Sequence, residues 1–173
     1  MKARWIILVF LGVVSPCFLI SLHALQIKAL REGNVVFMQI VHPNDRFEAG
    51  YIHSVERCPV GEFFRIDENF RIILYETTFA SSNTGLPSAL SGNEKFHNEG
   101  EFFRISNMER VLPELLLWVH EDYDNTLKIG KSPTVKLPSL AGNTLLQVLI
   151  KKMTLFEYAC LKGKICFMYH KGN

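Results

Sequence analysis

Between Trp5 and Leu22 the chain has no charged side chain, whereas beyond Lys28 charged residues recur every few positions. A helix at the surface of a water-soluble domain keeps one polar face, and this run has none. The contrast divides the chain into a segment suited to lipid and a remainder suited to water. At ~1.5 Å per residue, about 20 residues cross a hydrocarbon core of roughly 30 Å. The stretch from Trp5 to Ile27, interrupted only by Ser15, Ser21, His23 and Gln26, is long enough. Pro16 would kink such a helix without forbidding it in lipid. Lys2 and Arg4 precede the run, as in an N-terminus retained in the cytoplasm.

The expected organisation is a transmembrane anchor or signal helix over residues 1–27 and one extracytoplasmic domain over residues 28–173. The chain would then be a single-pass protein of the cytoplasmic (inner) membrane. A cleaved signal peptide is the alternative, although Ser21-Leu22-His23 and Ala24-Leu25-Gln26 match a small-residue cleavage site poorly. Lipidation would have to use Cys17, and Phe18-Leu19-Ile20 is the wrong continuation for a processed N-terminus.

The remainder is long enough to bury a core of ordinary size. A formal net charge of +2 is too small to steer a polyanion, and no basic stripe interleaves with aromatics, so nucleic acid is not an expected partner. Cys58, Cys160 and Cys166 lie beyond the anchor. A tight turn at Gly163 would bring Cys160 and Cys166 together as a disulfide in an oxidising compartment; three reduced, packed thiols are the alternative. Closely spaced zinc-ligand pairs are absent. His120-Glu121-Asp122-Tyr123-Asp124 lacks calcium-loop spacing and reads as a charged turn. The sequence thus implies no metal and no cofactor.

Strand signals dominate. Val35–Val41 is rich in sheet-forming residues and ends at the turn cluster His42-Pro43-Asn44-Asp45. Phe47–Val55 alternates with a period of two, Cys58–Gly61 turns the chain, and Phe63–Asp67 and Phe70–Phe79 follow, joined at Glu68-Asn69. Ala80–Gly100 reads as a long polar loop. Phe102–Ile105, Leu115–Val119, Thr126–Ile129 and Asn143–Ile150 read as strands, then a short helix near Thr154–Leu161 and a last strand at Ile165–Tyr169. Short strands at regular spacing predict an all-β antiparallel sandwich or partly open barrel with minor helix.

The densest polar cluster inside apolar sequence is His53-Ser54-Val55-Glu56, followed by Pro59-Val60 and Glu62. Thr78-Phe79 and then Gly85-Leu86-Pro87 lie two strands further on. Together, from about Phe47 to Gly163, these resemble an uncharacterised bacterial domain-of-unknown-function family, often encoded beside TRAP transporters of the TAXI type. The resemblance implies an extracytoplasmic protein linked to solute uptake, with TRAP transporter subunits and the membrane as partners. It implies no activity.

The site expected from these residues comprises His53, Ser54, Glu56 and Glu62, with the Gly85-Leu86-Pro87 loop beside it. On a flat strand Ser54 and Glu56 would face one way and His53 the other, which opposes a Ser–His–carboxylate hydrolase. Glu56 and Glu62 across the Pro59 turn would form a carboxylate pair able to take a cation or a basic partner group. Alternatively, Arg57, Arg65 and Arg71 would neutralise them in cross-strand pairs. The leading reading is a membrane-anchored accessory or binding protein without catalytic residues. A small envelope hydrolase using His53 with Ser54 or Glu56, or a small-ligand carrier, is the alternative.

Overall fold

The computed structural model describes residues 18–80 and 90–171. Twelve strands are described: β1 (Ser21–Ala29), β2 (Asn34–Val41), β3 (Arg46–Ile52), β4 (Pro59–Ile66), β5 (Ile72–Phe79), β6 (Lys95–Asn98), β7 (Phe103–Ser106), β8 (Arg110–Leu112), β9 (Leu115–Val119), β10 (Thr126–Ile129), β11 (Val135–Lys136) and β12 (Thr144–Thr154). A short helix α1 (Pro138–Ala141) precedes β12, and α2 (Leu155–Lys171) follows it. One sheet has the order β2-β1-β12-β9; the other runs β11-β10-β3-β4-β5-β7-β6, with β8 also on β5. The pairings are antiparallel.

The period of two decides which face each residue takes. Leu25 and Ile27 of β1, Leu117 and Val119 of β9, and Leu146 and Val148 of β12 meet Phe47, Val60, Phe64 and Leu127 of the other sheet in one buried cluster. Phe64, fully buried, stacks on Phe47 with centroids 4.8 Å apart. This is the expected all-β sandwich, packed face to face. A second cluster lies outside it, where Tyr158, Leu161 and Ile165 of α2 cover Ala24, Met38 and Met153.

Several boundaries differ from the sequence reading. Ser21–Ile27, read as the end of the anchor, belongs to β1, which pairs with β2 on one side and β12 on the other. A strand buried on both faces is as continuously apolar as a lipid-facing helix, so hydropathy cannot separate the two. The rest of that run, residues 1–17, lies outside the described residues. Among the described residues no helix is long and apolar enough to cross a membrane.

The chain end also differs. The helix begins as expected, capped by Thr154 and Glu157: Glu157 N–H donates to Thr154 Oγ1 (3.2 Å), and Glu157 Oε2 accepts from Thr154 N–H (2.7 Å). It then runs on to Lys171, through Gly163 and the expected strand Ile165–Tyr169. Cys160 and Cys166 therefore lie on one helix at i and i+6, roughly 9 Å apart along its axis, too far to bridge. Both, like Cys58, are thiols. The polar loop expected at 80–100 contains β6.

Two substitutions bracket these forces. Phe64→Ala is expected to cost about 3–5 kcal/mol by emptying the core. Gly163→Ala, at a helix-interior position with nothing within 4 Å of an added Cβ, is expected to gain about 0.5–1 kcal/mol. Thermal unfolding of the full chain in mild detergent checks both.

Candidate functional site

The register of the larger sheet places Leu127, Ala49, Glu62, Thr77 and Ile105 side by side across β10, β3, β4, β5 and β7. Directly opposed residues of neighbouring strands share a face. Leu127, Ala49, Thr77 and Ile105 are all buried. Glu62 is thus a carboxylate set in the inward row of the sandwich, on the same face as Val60 and Phe64. Among the described residues no hydrogen bond or ion pair reaches it, and burial alone pushes its pKa above the usual carboxylate value.

Glu62 opens into a cleft of about 390 Å³ where the end of β3 and the turn after it approach β9. That volume suits a small ligand or one side chain of a larger one. Leu115 and Leu117 supply an apolar wall, and Tyr51, Tyr123 and Asn125 add polar groups. Tyr51 is pushed up to about 12, first by burial and then by the charges of Glu62 and Cys58. Its phenol therefore stays protonated and able to donate at neutral pH. Among the described residues no lysine or arginine lines the cleft. Its one carboxylate is uncompensated.

β9 is the edge strand of its sheet, paired only with β12. The Trp118 carbonyl accepts from Asn125 Nδ2 (3.4 Å), so it points away from β12 toward the cleft side. Asn125 Oδ1 in turn accepts the His120 N–H (3.0 Å). This side chain ties β9 to the connection that carries Tyr123, as a single three-residue 3₁₀ turn over Glu121–Tyr123. The segment 120–124 is the charged turn expected from sequence, with His120 Nδ1 accepting from the Asp122 N–H.

The expected site residues separate into three groups. His53, Ser54 and Glu62 line the cleft. Glu56 does not, because the strand ends at Ile52 and residues 53–58 form a turn closed by His53 N–H to Cys58 C=O (2.8 Å) and Arg57 N–H to His53 C=O (2.9 Å). Arg57 takes the left-handed conformation there (φ +53°). Gly85, Leu86 and Pro87 lie outside the described residues. The arginine ladder differs at Glu62: Arg65 pairs with Glu109 and Arg71 with Asp67, and among the described residues no arginine pairs with Glu62.

His53 is occupied by the turn itself. Its Nδ1 accepts from the N–H groups of Val55 (3.3 Å) and Glu56 (3.2 Å). A neutral imidazole accepting at Nδ1 holds its proton on Nε2, so the nitrogen facing outward donates rather than takes a proton. That is a binding group more than a general base.

Residues 47–135, about half the chain, match DUF1850, a domain of unknown function. The chain belongs to this family. Comparison with curated proteins and with solved structures gives no match. The DUF1850 region holds the whole cleft, from Tyr51 through Asn125, and leaves β1, β2, β12 and α2 outside it.

Sequence pattern isolated Glu62 but not its surroundings. Tyr51 and Trp118 come from other strands and Tyr123 and Asn125 from the connection before β10, where the charged turn at 120–124 was the local hint.

A raised pKa means the folded state holds the Glu62 proton more tightly than the unfolded chain. The stabilisation this gives is complete below the unfolded value of 4.5 and is lost as pH rises through the folded value. Glu62→Gln is therefore expected to raise stability at pH 7, by about 0.5–2 kcal/mol as stabilising substitutions commonly do. At pH 4 the gain should shrink toward zero. Melting curves of both chains at the two pH values check the sign.

Proposed function

We propose that the protein is a non-catalytic binding domain whose cleft takes a ligand bearing a positively charged nitrogen. It is tethered by its N-terminal apolar run, on the extracytoplasmic side of the cytoplasmic membrane, and serves a TRAP-type solute transporter. The observation that carries the binding reading is Glu62, a half-buried carboxylate with no hydrogen-bond or ion-pair partner among the described residues, facing a cleft that no described lysine or arginine lines. A buried charge without a partner is costly, and proteins keep such groups where a ligand supplies the counter-charge. An ammonium or guanidinium group would pair with Glu62, while Tyr51, Tyr123 and Asn125 offer hydrogen bonds around it.

The charge-free run from Trp5 to Leu22 supports the membrane tether. The resemblance to a family encoded beside TAXI-type transporters supports the transport link. The hydrolase alternative built on His53 with Ser54 or Glu56 has less support: His53 Nδ1 accepts from its own turn, and Glu56 does not line the cleft.

Thermal shift of the full chain in mild detergent, across matched cationic, neutral and anionic small amines and acids, tests the binding reading. Cationic members are expected to raise the melting temperature, since a ligand at 100 times its Kd stabilises by about 2.7 kcal/mol. Glu62→Gln should abolish that rise while remaining folded. A rise produced by anionic members, or one that survives Glu62→Gln, overturns it. Affinity purification from native membranes tests the transporter link, with stoichiometric recovery of TRAP subunits expected and recovery of the protein alone counting against it.

A further inference from the structure

Helix α2 is apolar on two opposite faces. One face packs on the sandwich through Tyr158, Leu161 and Ile165. On the other, Phe156, Cys160, Gly163 and Phe167 recur at i, i+4, i+7 and i+11, a single stripe along the helix. All four are exposed, Phe156 at 43% and Phe167 at 63%. A helix at a protein–water surface puts polar side chains there.

The stripe continues past the helix. Phe18 stacks on Phe156 with centroids 4.4 Å apart, and the Ile20 carbonyl accepts the Leu155 N–H at 2.9 Å. Phe18, Leu19 and Ile20 are 50%, 78% and 51% exposed. Lys151, which faces the helix side of β12 opposite Ala24, and Lys164 of α2 are also exposed. Glu157, the one acidic residue of α2, is engaged by Thr154.

We propose that this surface lies on a lipid bilayer. Phe18, Leu19, Ile20 and the outward stripe of α2 rest in the interfacial layer, and Lys151 and Lys164 meet anionic headgroups. The proposal rests on the membrane-tether reading above and adds the face by which the domain is held. Its occupant follows from chain continuity: Phe18, Leu19 and Ile20 are themselves the last part of the charge-free run that starts at Trp5, with no polar spacer between run and patch. At no more than ~3.6 Å per residue, a domain joined this way cannot stand off from the surface that its leading segment enters.

The test uses the full chain in vesicles of phosphatidylethanolamine and phosphatidylglycerol. A nitroxide is placed on Cys160, with Cys17→Ser and Cys166→Ser; a parallel chain, also Cys160→Ser, carries it at Asn93→Cys, an exposed turn far from α2 in sequence. Dissolved oxygen concentrates in lipid and a water-soluble nickel chelate does not. The oxygen-to-nickel relaxation ratio is expected to be several-fold higher at position 160 than at position 93. Equal ratios overturn the proposal. So does a label shielded from both reagents, with spin–spin broadening that disappears on dilution with unlabelled protein, since a second copy then covers the face. An alkaline carbonate wash separates the two layers of argument. Protein that stays in the pellet with a water-exposed label keeps the tether and loses the proposal; protein released by the wash loses both.

Discussion

Water is excluded from this molecule mainly where the inner faces of two antiparallel sheets meet, and the Phe47–Phe64 stack lies in that layer. Fully burying one large apolar side chain contributes roughly 1.5–3 kcal/mol, and the layer contains many of them. That surplus is what permits Glu62 to stand in the inward row between Ala49 and Thr77. Thr77 shows the contrast: its hydroxyl finds Met108 Sδ at 3.7 Å, whereas burial is the one cause acting on the Glu62 pKa. A carboxylate kept there without compensation is a local conflict in an otherwise consistent sheet, and such conflicts gather at sites where a ligand completes the arrangement.

The outer face of the smaller sheet is governed by a different balance. Helix α2 seals Ala24, Met38 and Met153 from water, and Lys162 fixes it by donating to the Met38 carbonyl at 2.8 Å. The same helix also carries an exposed apolar stripe, joined through Phe18 to the start of the domain. The cleft and this surface are built from different parts of the chain. Glu62 lies within the stretch matched by DUF1850, and α2 lies beyond it. The proposed recognition cleft and the proposed lipid-facing surface would therefore vary independently.

Much of the sandwich was legible because strands buried on one face alternate, as in Leu115–Val119 and Thr126–Ile129. Legibility failed where alternation continued through a turn. Tyr51, His53 and Val55 keep the period of two, yet the strand ends at Ile52, and the left-handed Arg57 sends Glu56 away from the cleft. It failed again at Gly163, where a residue common in turns sits inside a helix that packing on β1 and β2 sustains. Thr154 and Glu157 announced the start of that helix; nothing local announced its end.

The sequence by itself determined an antiparallel β domain, an apolar leading segment and a polar cluster from His53 to Glu62 within apolar sequence. These follow from hydropathy and period, which act between neighbours along the chain. Only the tertiary structure decided that Ser21–Ala29 is an interior strand, that Glu62 lacks an arginine partner, and that Tyr51, Trp118, Tyr123 and Asn125 gather around it. Those outcomes depend on which strands pair and on which charges reach each other first. Arg71 is taken by Asp67 within its own turn, Arg65 finds Glu109 across a contact that no local pattern encodes, and Glu62 faces the cleft with no arginine partner among the described residues.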